Sequence, residues 1–434
     1  MVFFRKSVTI LRMLNIELII FFVIGYIAII FENFLHVNKA AVALVMSVLC
    51  WLLYFGDAHE LLATSIMAEQ IYDIAQIIFF LLAVMVIVEL IDSHHGFKII
   101  TDLIYTSSKR RMLWFLIIIS FFMSAMLDNL TSMIVVASLL RKMVSDTKDR
   151  WLMGSIVVLA VNAGGAWTPI GDVTTTMLWI NNRITTWETI RALFIPSVVN
   201  ALVAGIIATF LIKGEHKKVE GQFHLQAMEP GAKRVFFLGL GSLLMIPFWK
   251  AVLHVPPFMG ALIGLGLLWL ITDIMHFRYG EERWHLRVIH VLTKIDMSGI
   301  LFFLGILLAI NALQTAGILG DFANLLDRVV PNYNWIAVVI GLISAIVDNV
   351  PLVAATLGMY DLQQFPPDSK LWQLIAYAAG TGGSILIIGS AAGVVFMGIE
   401  KIDFIWYMKK ISWIALISYF AGLGTYMLLY PILY

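Results

Sequence analysis

Two Asp-Asn pairs within apolar stretches are the residues of this sequence most suited to chemistry. The pair Asp128-Asn129 follows Ser-Ala-Met-Leu, and the pair Asp348-Asn349 follows Ser-Ala-Ile-Val 220 positions later. A carboxylate at membrane depth costs roughly 2.5–3.5 kcal/mol on insertion scales, so one that is retained there marks a candidate functional site. The repetition indicates that both pairs serve the same chemistry.

The side chains of these pairs offer carboxylate and amide oxygens, which are hard ligands suited to Na⁺ or Li⁺. A carboxylate also takes up a proton, and the proton and the metal ion compete for it. One Asp can therefore serve both ions in turn, which is the simplest chemistry for exchanging a cation against protons. A second interpretation is structural, because an Asp side chain also caps the start of a helix. Capping and ion binding are compatible.

The composition predicts an all-α polytopic membrane protein. Hydrophobic residues make up 61% of the 434 residues and charged residues 13%, against about 25% charged residues in ordinary soluble domains. Apolar runs such as 71–90 and 235–255 reach the roughly 20 residues that cross a bilayer. Cys50 is the one cysteine in the sequence, which excludes an intramolecular disulfide and a cysteine-based metal site.

Several enzyme and pump signatures are missing from the sequence. It has no phosphate-binding Gly-Lys loop, no His-Glu-x-x-His motif and no Cys/His cluster. We therefore expect a transporter and not an enzyme, with no catalytic residues, no cofactor and no nucleic-acid partner. The driving force must then come from ion gradients, in which each charge moved is worth about 2.3 kcal/mol per 100 mV.

Each Asp-Asn pair lies between two apolar arms that are short for a full crossing. The first arms, 112–127 and 133–140, have basic residues at both outer ends, which favours both ends facing the cytoplasm. The pattern predicts a re-entrant helical hairpin at about 111–145 with Asp128-Asn129 at its tip, and a second at about 333–364. Non-helical backbone at that depth must be buried in protein or face a water-filled cavity.

A broken helix follows each predicted hairpin, at about 151–181 and at about 371–398. Gly164-Gly165 interrupts the first and Gly382-Gly383 the second, and glycine and proline favour a break in the helix there. The carbonyl groups freed by the break and nearby hydroxyl groups can coordinate a cation. A glycine pair also permits close helix packing, and only its combination with an Asp-Asn hairpin favours the functional interpretation.

The order of elements predicts two inverted repeats of five transmembrane spans, each with a re-entrant hairpin and a broken helix. The first repeat covers 1–212, a cytoplasmic linker covers 213–233, and the second repeat covers 234–434. Five is odd and a hairpin adds no crossing, so the second repeat starts on the opposite side of the membrane. This scheme places the basic N-terminal segment 5–12 outside, against the usual charge rule.

In these features the chain resembles the ion transporter superfamily, and within it the NhaD-type Na⁺/H⁺ antiporters. The resemblance rests on the hairpin tips Asp128-Asn129-Leu-Thr131 and Asp348-Asn349-Val-Pro and on the two broken spans. It implies Na⁺ or Li⁺ efflux against proton entry, with a role in pH homeostasis. It also implies a homodimer in the lipid of the bacterial inner membrane, with elevator-like alternating access.

The resemblance assigns cation binding and proton coupling to individual residues of this chain. Na⁺ is expected at Asp128, Asn129, Asp348 and Asn349. The full set of expected positions is Asp128, Asn129, Thr131, Asn162, Gly165, Thr168, Asp172, Asp348, Asn349, Thr381, Gly382 and Ser384. Accessory candidates are Glu89, Ser132, Thr174 and Ser390.

Asp172 breaks the symmetry, because Ser390 occupies its matching place in the second broken span. It is a candidate third titratable ligand, or equally a cap of the following half-helix. Glu89 is a ligand, a proton relay or the partner of a nearby cation.

Two other functions remain open on the sequence. The dicarboxylate branch of the superfamily carries Ser-Asn-Thr at both tips, where this chain has acidic Asp128 and Asp348. A Na⁺-coupled anion (dicarboxylate) transporter is therefore disfavoured, whereas arsenite-efflux relatives share acidic tips. A channel or membrane scaffold without coupled transport is the third alternative, and a scaffold would need no buried carboxylates.

Overall fold

The structure is a computed structural model, and its described residues form helices joined by turns. It describes residues 2–30, 32–57, 60–101, 108–212, 228–329, 332–346 and 348–433. Most of the predicted linker at 213–233 and the side chains of the basic N-terminal segment lie outside the described residues.

The helices follow one another in two sets, divided by the linker. The first set comprises α1 (Val2–Ile30), α2 (Glu32–Leu35), α3 (Lys39–Asp57), α4 (Glu60–Ser93), α5 (Lys98–Thr101), α6 (Lys109–Met126), α7 (Asn129–Met143), α8 (Thr147–Ala166), α9 (Val173–Ile180) and α10 (Thr186–Leu211). The second set comprises α11 (Ala232–Leu253), α12 (Pro257–His276), a 3-10 segment (Phe277–Leu286), α13 (Val288–Val291), α14 (Met297–Thr315), α15 (Ile318–Val329), α16 (Tyr333–Ile343), α17 (Asn349–Met359), α18 (Lys370–Gly382), a 3-10 turn (Ile387–Gly389), α19 (Ala391–Glu400), α20 (Phe404–Lys410) and α21 (Ser412–Leu433).

Seven helices in the described part of the chain are long and apolar enough to cross a membrane, namely α3, α4, α10, α11, α12, α14 and α21. This confirms the predicted class, an all-helical polytopic membrane protein. The ten predicted crossings also include α1 and the interrupted pairs α8–α9 and α18–α19. The arrangement in two repeats of five therefore stays a prediction.

Helices α6 and α7 fold back on each other around Leu127 and Asp128. The ammonium of Lys109, the first residue of α6, pairs with Asp149 at the start of α8. Just after the end of α7, the carbonyl oxygen of Val144 accepts a hydrogen bond from Arg150 Nη1 at 2.9 Å. Both outer ends of the pair therefore lie against the first turn of α8, and Asp128 lies at the opposite end.

Helices α16 and α17 form a second pair of the same kind. The ring of Tyr333, at the start of α16, lies 4.8 Å from the ring of Phe365. Tyr360, directly after α17, lies 5.4 Å from the same ring. Trp372, near the start of α18, donates from Nε1 to the Phe365 carbonyl at 3.0 Å. The outer ends of this pair thus meet at the start of α18, with Asp348 at the far end.

The two interrupted spans run past each other in opposite directions. Glu400, the last residue of α19, accepts hydrogen bonds from Arg150 near the start of α8 at 3.0 Å and from Arg141 near the end of α7 at 2.7 Å. At the other end, Asp368, just before α18, accepts from the Thr185 N–H at 2.7 Å, beyond the end of α9. The two hairpins therefore open at opposite ends of the spans between them.

Local sequence explains where these spans break. Helix α8 ends at Ala166, and Pro169, which has no N–H group to donate, lies in the gap before α9. Helix α18 ends within the pair Gly382-Gly383, and α19 begins after Ser390. Ser390 accepts a hydrogen bond from the Gly393 N–H at 3.2 Å, which caps the new helix.

Glycines allow the backbones of hairpins and broken spans to touch. A Cβ atom at Gly164 would overlap the carbonyl of Phe121 on α6, and a Cβ atom at Gly382 would overlap the carbonyl of Gly341 on α16. Neither neighbour is a flexible side chain, so the helices would have to move apart. Both glycine pairs thus have the packing role that their small size permits.

This packing predicts the effect of adding one methyl group. We expect Gly164→Ala to destabilise the purified protein by about 1–3 kcal/mol, because overpacking a filled contact shifts backbone. Gly266→Ala in α12 is the matched control, since no neighbouring atom lies within 4 Å of its Cβ position. Thermal unfolding in detergent measures both, and equal melting temperatures for the two variants would contradict the predicted contact.

Candidate cation-binding site

Asp128 ends the break between α6 and α7 and caps α7. Its Oδ1 atom accepts a hydrogen bond from the Thr131 N–H at 2.7 Å, and its Oδ2 atom accepts from Thr131 Oγ1 at 2.8 Å. An ionised carboxylate has about four lone-pair positions, so the bonds from Thr131 and from the Leu130 backbone leave room for a cation or a proton. The capping role of Asp128 and its predicted role as an ion ligand are thus compatible.

Asn129, the next residue, is buried and connects this tip to the first broken span. Its Nδ2 group donates to Asn162 Oδ1 at 3.1 Å and to Asp172 Oδ2 at 3.0 Å. Asn162 lies near the end of α8 and Asp172 lies directly before α9, so one amide holds both sides of the break. The side-chain carbonyl oxygen of Asn129, Oδ1, remains available as a ligand.

Asn162 extends the connection to the second broken span. Its Nδ2 group donates to Ser384 Oγ and to Ser390 Oγ, both at 2.8 Å. These two serines lie on either side of the break between α18 and α19. We call Asn129, Asn162, Asp172, Ser384 and Ser390 the central polar network, and all five are buried.

Asp172 and Ser390 have matching positions in the network and perform the same structural task. Asp172 Oδ1 accepts a hydrogen bond from the Thr174 N–H at 3.1 Å and so caps α9, as Ser390 caps α19. The cap predicted for Asp172 is therefore present. Asp172 is the one carboxylate among the five residues of the central polar network, so the network carries more titratable chemistry on the side of the first broken span.

At the second hairpin tip an Asp also caps the following helix, but its side chain has different partners. Asp348 Oδ1 accepts from the Val350 N–H at 3.2 Å, and its Oδ2 atom lies 3.6 Å from the Lys39 ammonium. The neighbouring Asn349 is buried, and among the described residues its Nδ2 group has no hydrogen-bond partner. Both tips thus begin a helix with a capping Asp, but they differ in backbone conformation and in contacts.

The sequence of the broken spans accounts for this difference. Ser124 Oγ donates to the Val161 carbonyl at 2.5 Å, and Ser344 Oγ donates to the Ala379 carbonyl at 2.9 Å. The residue after Val161 is Asn162, whereas the residue after Ala379 is Gly380. Glycine has no side chain to accept from Asn349, so its amide remains unpartnered.

A cavity of about 200 Å³ lies between the two tips. Asp128 and Asp348 both line it, together with Asn129 and Thr131. Two further carboxylates, Glu32 and Asp296, and the ammonium of Lys39 also line it. Charge and oxygen ligands thus favour a small cation in this space.

Comparison with known proteins agrees with this arrangement. The family model described as citrate transporter (CitMHS) matches residues 26–372, which include both hairpins and the first broken span. The chain belongs to this family. Its homologues are transporters and not enzymes.

Three relatives show which members of the family the chain is similar to. Sodium/proton antiporter 1 of Arabidopsis thaliana is 49% identical over 95% of this chain and 72% of the relative. Sodium/proton antiporter 2 of the same plant is 47% identical over 94% of this chain and 97% of the relative. Na(+)/H(+) antiporter NhaD of Alkalimonas amylolytica is 27% identical over 94% and 89%, respectively. The resemblance to NhaD-type transporters is thereby confirmed.

Several predicted site residues make contacts between or within helices that stabilise the fold. Thr168 Oγ1 donates to the Ala125 carbonyl at 2.7 Å, and Thr381 Oγ1 donates to the Tyr377 carbonyl at 2.6 Å. A Cβ atom at Gly165 would overlap the Gly171 carbonyl, across the first break. These contacts are structural, and ion coordination by Thr168, Thr381, Gly165 and Gly382 stays a prediction.

The accessory candidates divide into two groups. Ser390 belongs to the central polar network, and Ser132 and Thr174 are buried with hydroxyl groups that have no described hydrogen-bond partner. Glu89 lies elsewhere, because it accepts a hydrogen bond from Ser93 at 3.3 Å near the end of α4 and does not line the cavity. Its location fits the predicted partner of a cation, since Lys294 donates to Ser93 Oγ at 3.1 Å.

Sequence reasoning missed Glu32, Lys39 and Asp296 as residues of the cavity. Each stands at a helix boundary, where a charge is ordinarily solvated, and none belongs to the repeated motifs. Lys39 and Asp296 lie at the starts of α3 and α14, and only the structure shows that these two helices pack together.

The network predicts a specific role for Asn162. We expect Asn162→Ala to cost about 1–3 kcal/mol of stability, because it leaves buried polar partners unsatisfied, and to reduce cation-dependent transport at least about tenfold. Asn200→Ala is the matched control, because Asn200 is equally buried and donates to Tyr377 at 3.0 Å outside the network.

Thermal unfolding and vesicle transport together test this role. Both variants should lose similar stability, and only Asn162→Ala should lose transport. Equal transport by the two variants would show that Asn162 serves stability alone.

Proposed function

We propose that this chain exchanges Na⁺, and Li⁺ as a substitute, against protons as a secondary antiporter. The observation that carries the proposal is the Asp128 carboxylate, which has unused lone pairs, lines a cavity and lies next to the central polar network. The names of the plant and bacterial relatives describe the same exchange for those proteins.

Competition at one carboxylate provides the coupling. Na⁺ binds to the ionised form of Asp128, with Asn129 as an additional oxygen ligand, and a proton binds to the same carboxylate after Na⁺ leaves. Asp172 accepts a hydrogen bond from Asn129 at 3.0 Å, so a change of charge at either carboxylate alters the ligand geometry at the other. Exchange is favoured at alkaline pH, because fewer protons then compete with Na⁺.

The charges of the cavity argue against an organic anion as substrate, although the family model is described as citrate transporter. Glu32, Asp128, Asp296 and Asp348 line the cavity, and Lys39 is the one cationic side chain among the described residues of its lining. A dicarboxylate would meet four carboxylates and a single ammonium, and like charges repel at these distances. Na⁺ is the better match.

Alternating access follows if the hairpins and broken spans move as one body. The central polar network links the first hairpin to both broken spans, which favours their joint movement. An elevator-like shift of this body, in a homodimer in the bacterial inner membrane, is the working scheme. In that scheme both hairpins are re-entrant, and each enters the membrane from its own side.

Replacing either tip carboxylate tests the proposal. In everted vesicles from antiporter-deficient bacteria, Na⁺ or Li⁺ should collapse a preformed pH gradient when the wild-type chain is present. Asp128→Asn and Asp348→Asn should each reduce this response at least about 100-fold, because an amide cannot carry the charge that both ions need. Asp149→Asn is the control, since Asp149 pairs with Lys109 at the outer end of the hairpin.

Two results would contradict the proposal. One is a wild-type chain that leaves the pH gradient unchanged with both ions but takes up labelled citrate, succinate or arsenite. The other is full exchange activity in the Asp128→Asn variant at normal expression.

A further inference from the structure

Lys39 lines the cavity and makes contacts through both its backbone and its side chain. Its N–H donates to Glu32 Oε2 at 3.1 Å, and the preceding Asn38 caps α3 by accepting from the Ala40 N–H at 2.8 Å. Its ammonium lies 4.5 Å from the centre of the Phe302 ring, which is a cation–π contact. The side chain therefore has a defined position.

The same ammonium lies 3.6 Å from Asp348 Oδ2. The exposed fractions of the two side chains are 27% and 17%, respectively, so solvent screens the pair only in part. The Lys39 ammonium thus occupies the place beside Asp348 where the proposed exchange needs Na⁺. Asp128, at the other tip, instead accepts hydrogen bonds from Thr131 and from the Leu130 backbone.

We propose that Lys39 is the resident counter-ion of Asp348, which Na⁺ must displace before it can bind between the two hairpin tips. The inference rests on the proposed function and assigns the affinity of the site to a residue outside the repeated motifs. Lys39 acts through Asp348 and is therefore a positioning residue. It balances the charge of Asp348 before Na⁺ binds, while Asp128 stays available to the incoming ion.

The cavity also provides for the displaced ammonium. A charge that loses its partner in a partly buried site is costly, but Glu32 and Asp296 line the same cavity as Lys39. Either carboxylate can receive the ammonium when Na⁺ occupies Asp348. Displacement is thus an exchange of partners and leaves no unpaired charge.

The Na⁺ dependence of exchange tests this role. Lys39→Gln removes the competing charge, so its apparent KM for Na⁺ at a fixed alkaline pH should fall at least about threefold below wild type. Lys39→Arg retains a cation and should keep the wild-type KM or raise it. The maximal rate is measured in the same titrations, so that an effect on affinity is separated from an effect on turnover.

A matched lysine controls for the loss of a helix-start charge. Lys370 is the first residue of α18, as Lys39 is of α3, and its ammonium lies 4.8 Å from the Tyr430 ring centre. It does not line the cavity. Lys370→Gln should leave the KM for Na⁺ unchanged, and thermal unfolding shows whether each variant folds.

Calorimetric titration of the purified full chain with NaCl gives a second readout that does not need transport. Tighter Na⁺ binding by Lys39→Gln, with wild-type affinity in Lys39→Arg, supports the inference even where turnover is slow. Wild-type KM and wild-type affinity in Lys39→Gln overturn it and leave the antiporter proposal intact. A wild-type chain that neither binds nor exchanges Na⁺ overturns the antiporter proposal and this inference together.

Discussion

A helix that stops within a membrane exposes backbone groups that water cannot reach, and the protein itself must satisfy them. Four helix breaks meet near the centre of this structure, and polar side chains of one serve the backbone of another. Ser124 donates to the Val161 carbonyl, Ser344 to the Ala379 carbonyl, and Thr168 to the Ala125 carbonyl. The candidate site lies where these interruptions satisfy one another's backbone groups.

The same constraint explains why the two halves of the site differ. The first half satisfies the Asn129 amide with Asn162 and Asp172, whereas Gly380 leaves the Asn349 amide without such a partner. The second half instead has an ion pair between Asp348 and a helix outside the hairpins. The two capping Asp residues thus have different surroundings, with hydrogen bonds at Asp128 and an ion pair at Asp348.

The sequence alone predicted the interruptions well, because Asp128, Asp348 and the glycine pairs are conspicuous in apolar runs. It also predicted that Asp172 has a serine as its counterpart. It could not predict the contacts of Lys39, since a lysine at a helix start looks like an ordinary interfacial charge. Glu89 was predicted as an accessory site residue, but it does not line the cavity. The part of α4 that does so, at positions 80–85, ends about one helical turn before Glu89.

The central claim is that Na⁺ and protons compete for the same carboxylates. The most direct measurement is proton release when NaCl is added to the purified protein in weakly buffered detergent solution, with KCl as the control. The account predicts proton release that saturates with Na⁺ and is lost in Asp128→Asn. Saturable Na⁺ binding without proton release at any pH would contradict it.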